Sequence, residues 1–263
     1  MMTMTISSSH NERVKLVRLL QRQAKTRRQQ RRLVLEGLRL VADAVTSGAS
    51  PDVVFFTDAA SAPIHDLIAH LNTAGIDCLR VTDALMADMA DTETPQGILG
   101  VFPWPDLPIR PAPGLVVVAD GWRDPGNLGT VIRTAAAAGV ELLVLPPGTV
   151  DPYNPKTLRA GMGAQFRVPV HVLDWPELTA RFPDHALYLA DAAGEVPFHA
   201  VDWTRPALLV IGGEAHGVSA AARDLPHTTI AIPMAPGAES LNAAVAASLL
   251  IYEARRHTFS PPP

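Results

Sequence analysis

A single cysteine, Cys78, excludes an intrachain disulfide. No group of Cys and His residues has zinc-site spacing, so no structural metal is expected. No run reaches the roughly 18 uninterrupted apolar residues that a membrane span requires, and Met1–Asn11 is polar where a secretory leader would be apolar. These absences fit a cytoplasmic protein with no metal and no membrane association. Two phosphate-binding signatures are also missing: no G-x-G-x-x-G follows a strand, and no G-K-[ST] marks a P-loop. No internal repeat is evident.

The 263 residues, 48% hydrophobic and 18% charged, suffice for a substantial core in one large or two smaller domains. The net charge of −4 hides an asymmetry. Residues 11–40 hold ten basic side chains (Arg13, Lys15, Arg18, Arg22, Lys25, Arg27, Arg28, Arg31, Arg32 and Arg39) against Glu12 and Glu36, a local +8 that leaves −12 on the rest. A basic helix over 11–32, interleaved with glutamines and without internal acidic partners, reads as an electrostatic footprint for RNA, with Arg27, Arg28, Arg31 and Arg32 as its centre. The alternative is a solvated helix face.

Apolar patterning divides the chain. Strands at 52–57, 78–81 and 97–102, with a strand and helix from Arg32 onward and helices at 62–74 and 84–90, predict a small α/β domain over residues 1–102. Five prolines between Pro103 and Gly114 predict an extended linker, 103–113. Near-continuous apolar runs at 115–119, 142–145, 168–173, 186–190, 207–211 and 229–232 then predict a mostly parallel sheet with helices on both faces across 114–263. Such sheets bind ligands outside the carboxyl ends of their strands.

Three polar, glycine-bearing loops fall at such ends: Asp120 to Arg133, Ile211 to Gly217 and Ile232 to Asn242. Taken singly, each of their polar residues has two readings. Asn127 either caps the following helix or faces a ligand, and Arg133 is either a surface or a site residue. Glu214 either caps a turn or recognises a substrate group. His216 is a candidate base or simply exposed. Of Ser240 and Asn242 only one can cap the apolar helix that follows, freeing the other for the site. That helix, 243–252, is apolar nearly all round and is expected to be buried or packed against a partner. A βαβ reading of 115–145 keeps a dinucleotide-binding enzyme as a rival.

Together the three loops match, in order and spacing, D-x-x-x-D-P-x-N-x-G-x-x-x-R, G-x-E-x-x-G and I-P-M-x-x-x-x-x-S-L-N. The chain thereby resembles the SpoU/TrmH family of RNA 2′-O-ribose methyltransferases of the SPOUT class, and residues 33–41 and 92–99 look like its accessory RNA-binding domain. The resemblance implies a trefoil knot in the C-terminal domain, a homodimer, and S-adenosylmethionine (S-adenosyl-L-methionine) as cofactor. The substrate it implies is ribosomal RNA, of the large subunit, in preference to tRNA. By carry-over, Gly212, Gly213, Ile232, Met234 and Leu241 hold the cofactor, while Asn127, Arg133, Glu214, Ser240 and Asn242 form the catalytic set. Arg133 is the family's activator of the 2′-hydroxyl. A guanidinium does not deprotonate in proteins, so Arg133 is expected to stabilise phosphate and developing alkoxide charge and not to act as a free base. A non-catalytic RNA-binding protein on the same fold is the second rival.

Overall fold

The computed structural model describes residues 5–214, 217–238 and 240–259. His216 and the terminal prolines lie outside the described residues. The chain forms two compact units, dividing between Pro105 and Asp106, inside the proline-rich stretch. The first unit also takes in Tyr153–Arg159, which no sequence signal indicated. Within that unit the Tyr153 ring packs on Trp104, centroids 4.4 Å apart, and Arg159 pairs with Asp91 at 2.6 Å.

The first unit runs α1 (Glu12–Arg22), α2 (Ala24–Gln30), β1 (Arg32–Glu36), α3 (Leu38–Thr46), β2 (Val53–Phe56), α4 (Ala62–Thr73), β3 (Cys78–Arg80), α5 (Asp83–Met89) and β4 (Ile98–Pro103). Its sheet has the order β1-β4-β2-β3, with β4 antiparallel to both neighbours and β2 parallel to β3. Val14, Val17 and Leu20, at helical spacing on α1, bury one stripe against Phe55, Met86 and Leu99.

The basic segment departs from expectation. It is two helices broken at Gln23, whose backbone is extended, and Arg32 already belongs to β1. Arg27, only 3% exposed, bridges the break: its guanidinium donates to the Leu20 and Gln21 carbonyls at 2.6 and 3.2 Å. Those carbonyls belong to the last turn of α1, which has no helical partners for them. Acidic partners also exist after all: Arg13 pairs with Asp77, Arg18 with Asp88, Arg32 with Asp52, and Lys15 with Glu12.

The second unit contains β5 (Leu115–Asp120), α6 (Pro125–Ala137) and β6 (Leu142–Leu145). Along the chain there follow α7 (Pro155–Gly161), most of which belongs to the first unit, and then β7 (Val170–Val172), α8 (Trp175–Arg181), β8 (Ala186–Ala190) and β9 (Val196–Pro197) of the second. The last elements are β10 (Ala207–Gly212), α9 (Ala220–Arg223), β11 (Thr228–Ala231) and α10 (Ala243–Arg255). Its seven strands are all parallel, in the order β7-β6-β5-β10-β8-β11-β9. Val117 and Leu209 face Ile132 and Leu250, while Val116 and Val210 face Leu178 and Ala222. Burial on both faces explains why these strands read as unbroken apolar runs. The crossover order makes β5 and β10 neighbours and leaves only β8 between β10 and β11. Loops far apart in sequence therefore end side by side.

Candidate active site

The first loop is anchored before it reaches the site. Trp122 is 2% exposed and donates its indole N–H to the Ile211 carbonyl at 2.7 Å, joining the end of β5 to the end of β10. Asp120 accepts from Ser219 N–H through Oδ2 at 2.7 Å and from Gly213 N–H through its carbonyl at 2.9 Å. Asp124 caps α6, accepting the Asn127 backbone N–H at 2.8 Å. Asn127 is therefore not the cap, and its amide is free to reach across.

The second loop folds back on itself, with Gly217 N–H bonded to the Gly213 carbonyl at 2.9 Å. A β-carbon on Gly212 would collide with the Gly217 backbone, and one on Gly213 would lie 2.8 Å from the Gly121 carbonyl oxygen. These glycines thus permit close approach of backbone to backbone within the protein. Glu214, next along, accepts from both Asn127 Nδ2 and Asn242 Nδ2, the latter at 3.2 Å.

The third loop resolves its own ambiguity. Asn242 caps α10 through Oδ1, accepting Ala244 and Val245 N–H at 2.9 and 3.2 Å, while the other end of its amide holds Glu214. One side chain does both tasks, and Ser240 is left to line the cavity.

That cavity, of about 500 Å³, lies at the carboxyl ends of β8, β10 and β11 and includes Gly212, Gly213, Ile232, Met234, Ser240 and Leu241. Its size and mainly apolar lining with a few polar groups suit a small organic ligand. Ile232, Met234 and Leu241 offer walls for a flat heterocycle, and Ser240 and Glu214 offer polar contacts at the edge. The residues fit an adenosine-type cofactor. Sequence reasoning missed Asp191, which also lines the cavity. Ala193 N–H and the Arg223 guanidinium, at 3.0 and 2.9 Å, hold its carboxyl below the usual range. The available signal was its place directly after an apolar strand.

Arg133 is not brought into this cluster. It is exposed on α6, outside the cavity lining, with no hydrogen bond or ion pair among the described residues. Beside the cluster, a groove of about 710 Å³ runs between α6 and α10, lined by Asn127, Thr130, Val245, Leu249 and Tyr252 among others. Val245, Leu249, Tyr252 and Phe259 are large exposed apolar side chains there.

In the first unit, the four arginines chosen from sequence separate. Arg28 and Arg31 are exposed, Arg32 is half-buried in its pair with Asp52 at 2.6 Å, and Arg27 is buried. Arg27 is thus a corrected assignment: its guanidinium is spent on backbone carbonyls and is not offered to a polyanion. The Arg31 guanidinium lies over the Trp104 ring at 5.5 Å. Among the described residues no helix is long and apolar enough to cross a membrane, and no group of three His, Cys, Asp or Glu could hold a metal.

Comparison with known proteins is consistent across both units. Residues 114–252 match the SpoU rRNA Methylase family and residues 11–100 match the MRM3-like substrate binding domain. The chain is 35% identical to the mouse (Mus musculus) mitochondrial rRNA methyltransferase 3, over 88% of this chain and 68% of that protein. It is 32% identical to the 23S rRNA (guanosine(2553)-2′-O)-methyltransferase RlmP of Bacillus subtilis, over 95% and 98% respectively. The crystal structure of an AdoMet-bound rRNA methyltransferase from Sinorhizobium meliloti superposes with a TM-score of 0.85 at 31% identity, covering 98% of this chain and 99% of that one.

Proposed function

The chain belongs to the SpoU rRNA methylase family, and from that membership and its three-loop site we propose that it methylates a ribose 2′-hydroxyl of large-subunit ribosomal RNA, with S-adenosylmethionine as donor. The observation that carries this reading is Glu214 drawing the amides of Asn127 and Asn242 onto one oxygen beside the cavity. Nothing in RNA binding alone requires three loops to be joined there. Gly212, Gly213, Ile232, Met234 and Leu241 would hold the cofactor, which supplies an electrophilic methyl group on a sulfonium.

The chain's part is to position the ribose and stabilise charge. Asn127 and Asn242, their amides fixed by Glu214, hold the reacting groups in register, and the Ser240 hydroxyl orients the ribose. Arg133, always protonated, stabilises phosphate and the developing alkoxide while phosphate or water takes the proton. Because Arg133 stands outside the cavity lining of its own chain, the reading needs RNA or a second chain to bring guanidinium and ribose together. The exposed apolar residues on and beyond α10 support a homodimer, which would cover them. The trefoil knot implied by the family, a cytoplasmic location, and RNA contacts by Arg28, Arg31 and Arg32 belong to the same reading.

Calorimetry with S-adenosylmethionine and with NAD tests the cofactor: the first binds and the second does not. Mapping 2′-O-methyl groups in rRNA and tRNA from cells with and without the gene tests the substrate. Loss of one rRNA methyl group in the deletion strain is the expected result, and loss only in tRNA refutes the ribosomal assignment.

A further inference from the structure

The first unit contains a cavity of about 510 Å³ where β1 and β2 end and β4 begins. Leu38, Ile64 and Met86 form its apolar walls, and Thr57, Ser61, Asp83 and Gln96 bring polar groups to it. The volume lies inside the roughly 300–1,000 Å³ of small-ligand sites.

Several of its polar groups make no hydrogen bond among the described residues. Thr57 is 2% exposed, yet its hydroxyl has no partner among the described residues. On a residue that lines the cavity, that hydroxyl is available to a ligand as donor or acceptor. Ser61 precedes α4, but its side chain makes no capping bond, and the Ile64 and His65 N–H groups go to its carbonyl instead. Gln96 accepts the Leu38 N–H at 3.1 Å through Oε1, and its Nε2 has no hydrogen-bond partner among the described residues. The loop that carries it is held to β1 by Glu36, which accepts from Asp91 N–H at 2.9 Å and from the Thr92 hydroxyl.

This donor and acceptor set decides between ligands. Among the described residues that line the cavity none is basic and Asp83 is acidic, so phosphate, an acceptor bearing negative charge, is disfavoured. A neutral, flat heterocycle with adjacent N–H groups fits better. A carboxylate accepts two parallel N–H bonds, the pattern offered by N1–H and N2–H of guanine, while Gln96 Nε2 and the two hydroxyls can donate to O6 and N7. Unpaired RNA bases are read in this way, splayed from the strand and bonded along their edges. Resting on the reading that this unit engages RNA, we infer that the cavity takes one unpaired guanine base of the substrate.

The test uses the full chain and fluorescein-labelled oligouridine decamers carrying a central G, A, C or U, read by fluorescence anisotropy. The guanine oligomer is expected to bind at least about tenfold tighter than the all-uridine one. Asp83→Asn and Thr57→Val should reduce that preference, and Ala59→Phe, which fills the cavity from an exposed lining position, should abolish it. Affinity for the all-uridine oligomer should not change. Arg31→Gln should weaken all four oligomers alike. Equal affinity of the wild type for the four, a preference that survives both Asp83→Asn and Ala59→Phe, or competition by inorganic phosphate but not by guanosine overturns the inference. Methyl transfer and S-adenosylmethionine binding, measured in parallel, report separately on the reading of the second unit.

Discussion

Asn242 Nδ2 donates to Glu214 Oε1 at 3.2 Å, joining the loop after β10 to the start of α10. The same oxygen accepts the Asn127 amide, so three segments meet on one atom. Glu214 consequently sets the geometry of the two asparagines, and its value to the site lies in what it holds.

Replacing Glu214 should therefore cost turnover more than cofactor affinity. Glu214→Ala is expected to lower methyl transfer by about 10- to 100-fold, with S-adenosylmethionine affinity changed by no more than a few fold. Glu214→Gln, which keeps a carbonyl acceptor, should lose less. A cycle of Glu214→Ala and Asn127→Ala, assayed with tritiated cofactor, should be clearly non-additive because the two share one hydrogen bond.

Arg133 carries charge on the open face of α6 and is expected to act on RNA alone. Arg133→Ala should lower turnover by about a hundredfold or more, as removal of a charge-stabilising donor does elsewhere. Calorimetric affinity for the cofactor should be unchanged. Unchanged methyl transfer would refute its assigned role.

Arg27 and its neighbours should separate by experiment. Substituting Arg28 and Arg31 by Gln is expected to weaken RNA binding and to flatten its dependence on log salt by roughly 0.7–0.9 per lost phosphate contact. Arg27→Gln should leave the slope nearly unchanged and lower stability by about 1–3 kcal/mol, because two α1 carbonyls lose a charged donor. Filter binding across a salt series and urea unfolding distinguish the two outcomes.

Cys78 gives a pH dependence. Burial first, and then the Asp77 charge beside it, raise its thiol from 9.0 to about 11. The folded state thus keeps a proton that the unfolded chain releases above pH 9, so this contribution is intact below pH 9 and is lost as pH rises toward 11. Urea midpoints of wild type and Cys78→Ala should show a constant difference from pH 7 to 8.5 that shifts against the wild type by pH 10.5. Native protein at pH 8 should resist iodoacetamide, since the reactive thiolate is scarce and the side chain buried.

Much of this was legible in the residues. Unbroken apolar runs such as Leu115–Ala119 require burial on both faces and hence a parallel sheet. The matching order and spacing of three loops identify a joint site even though Asn127, Glu214 and Asn242 are each ambiguous alone. Charge counting, by contrast, grouped Arg27 with Arg28, Arg31 and Arg32, because composition carries no information on burial.

What the tertiary structure alone decided is which atoms meet. The order β5-β10-β8-β11 brings together loop ends separated by nearly a hundred residues, and only then do two asparagine amides find one carboxylate oxygen. It also spent Arg27 on the end of α1, placed Thr57 in the lining of a cavity, and set Arg133 outside the pocket of its own chain. The sequence determines the elements and the chemistry available at their ends, since periodicity and capping are local. Pairing depends on crossover topology and on where each polar group can be satisfied, and both are properties of the packed whole.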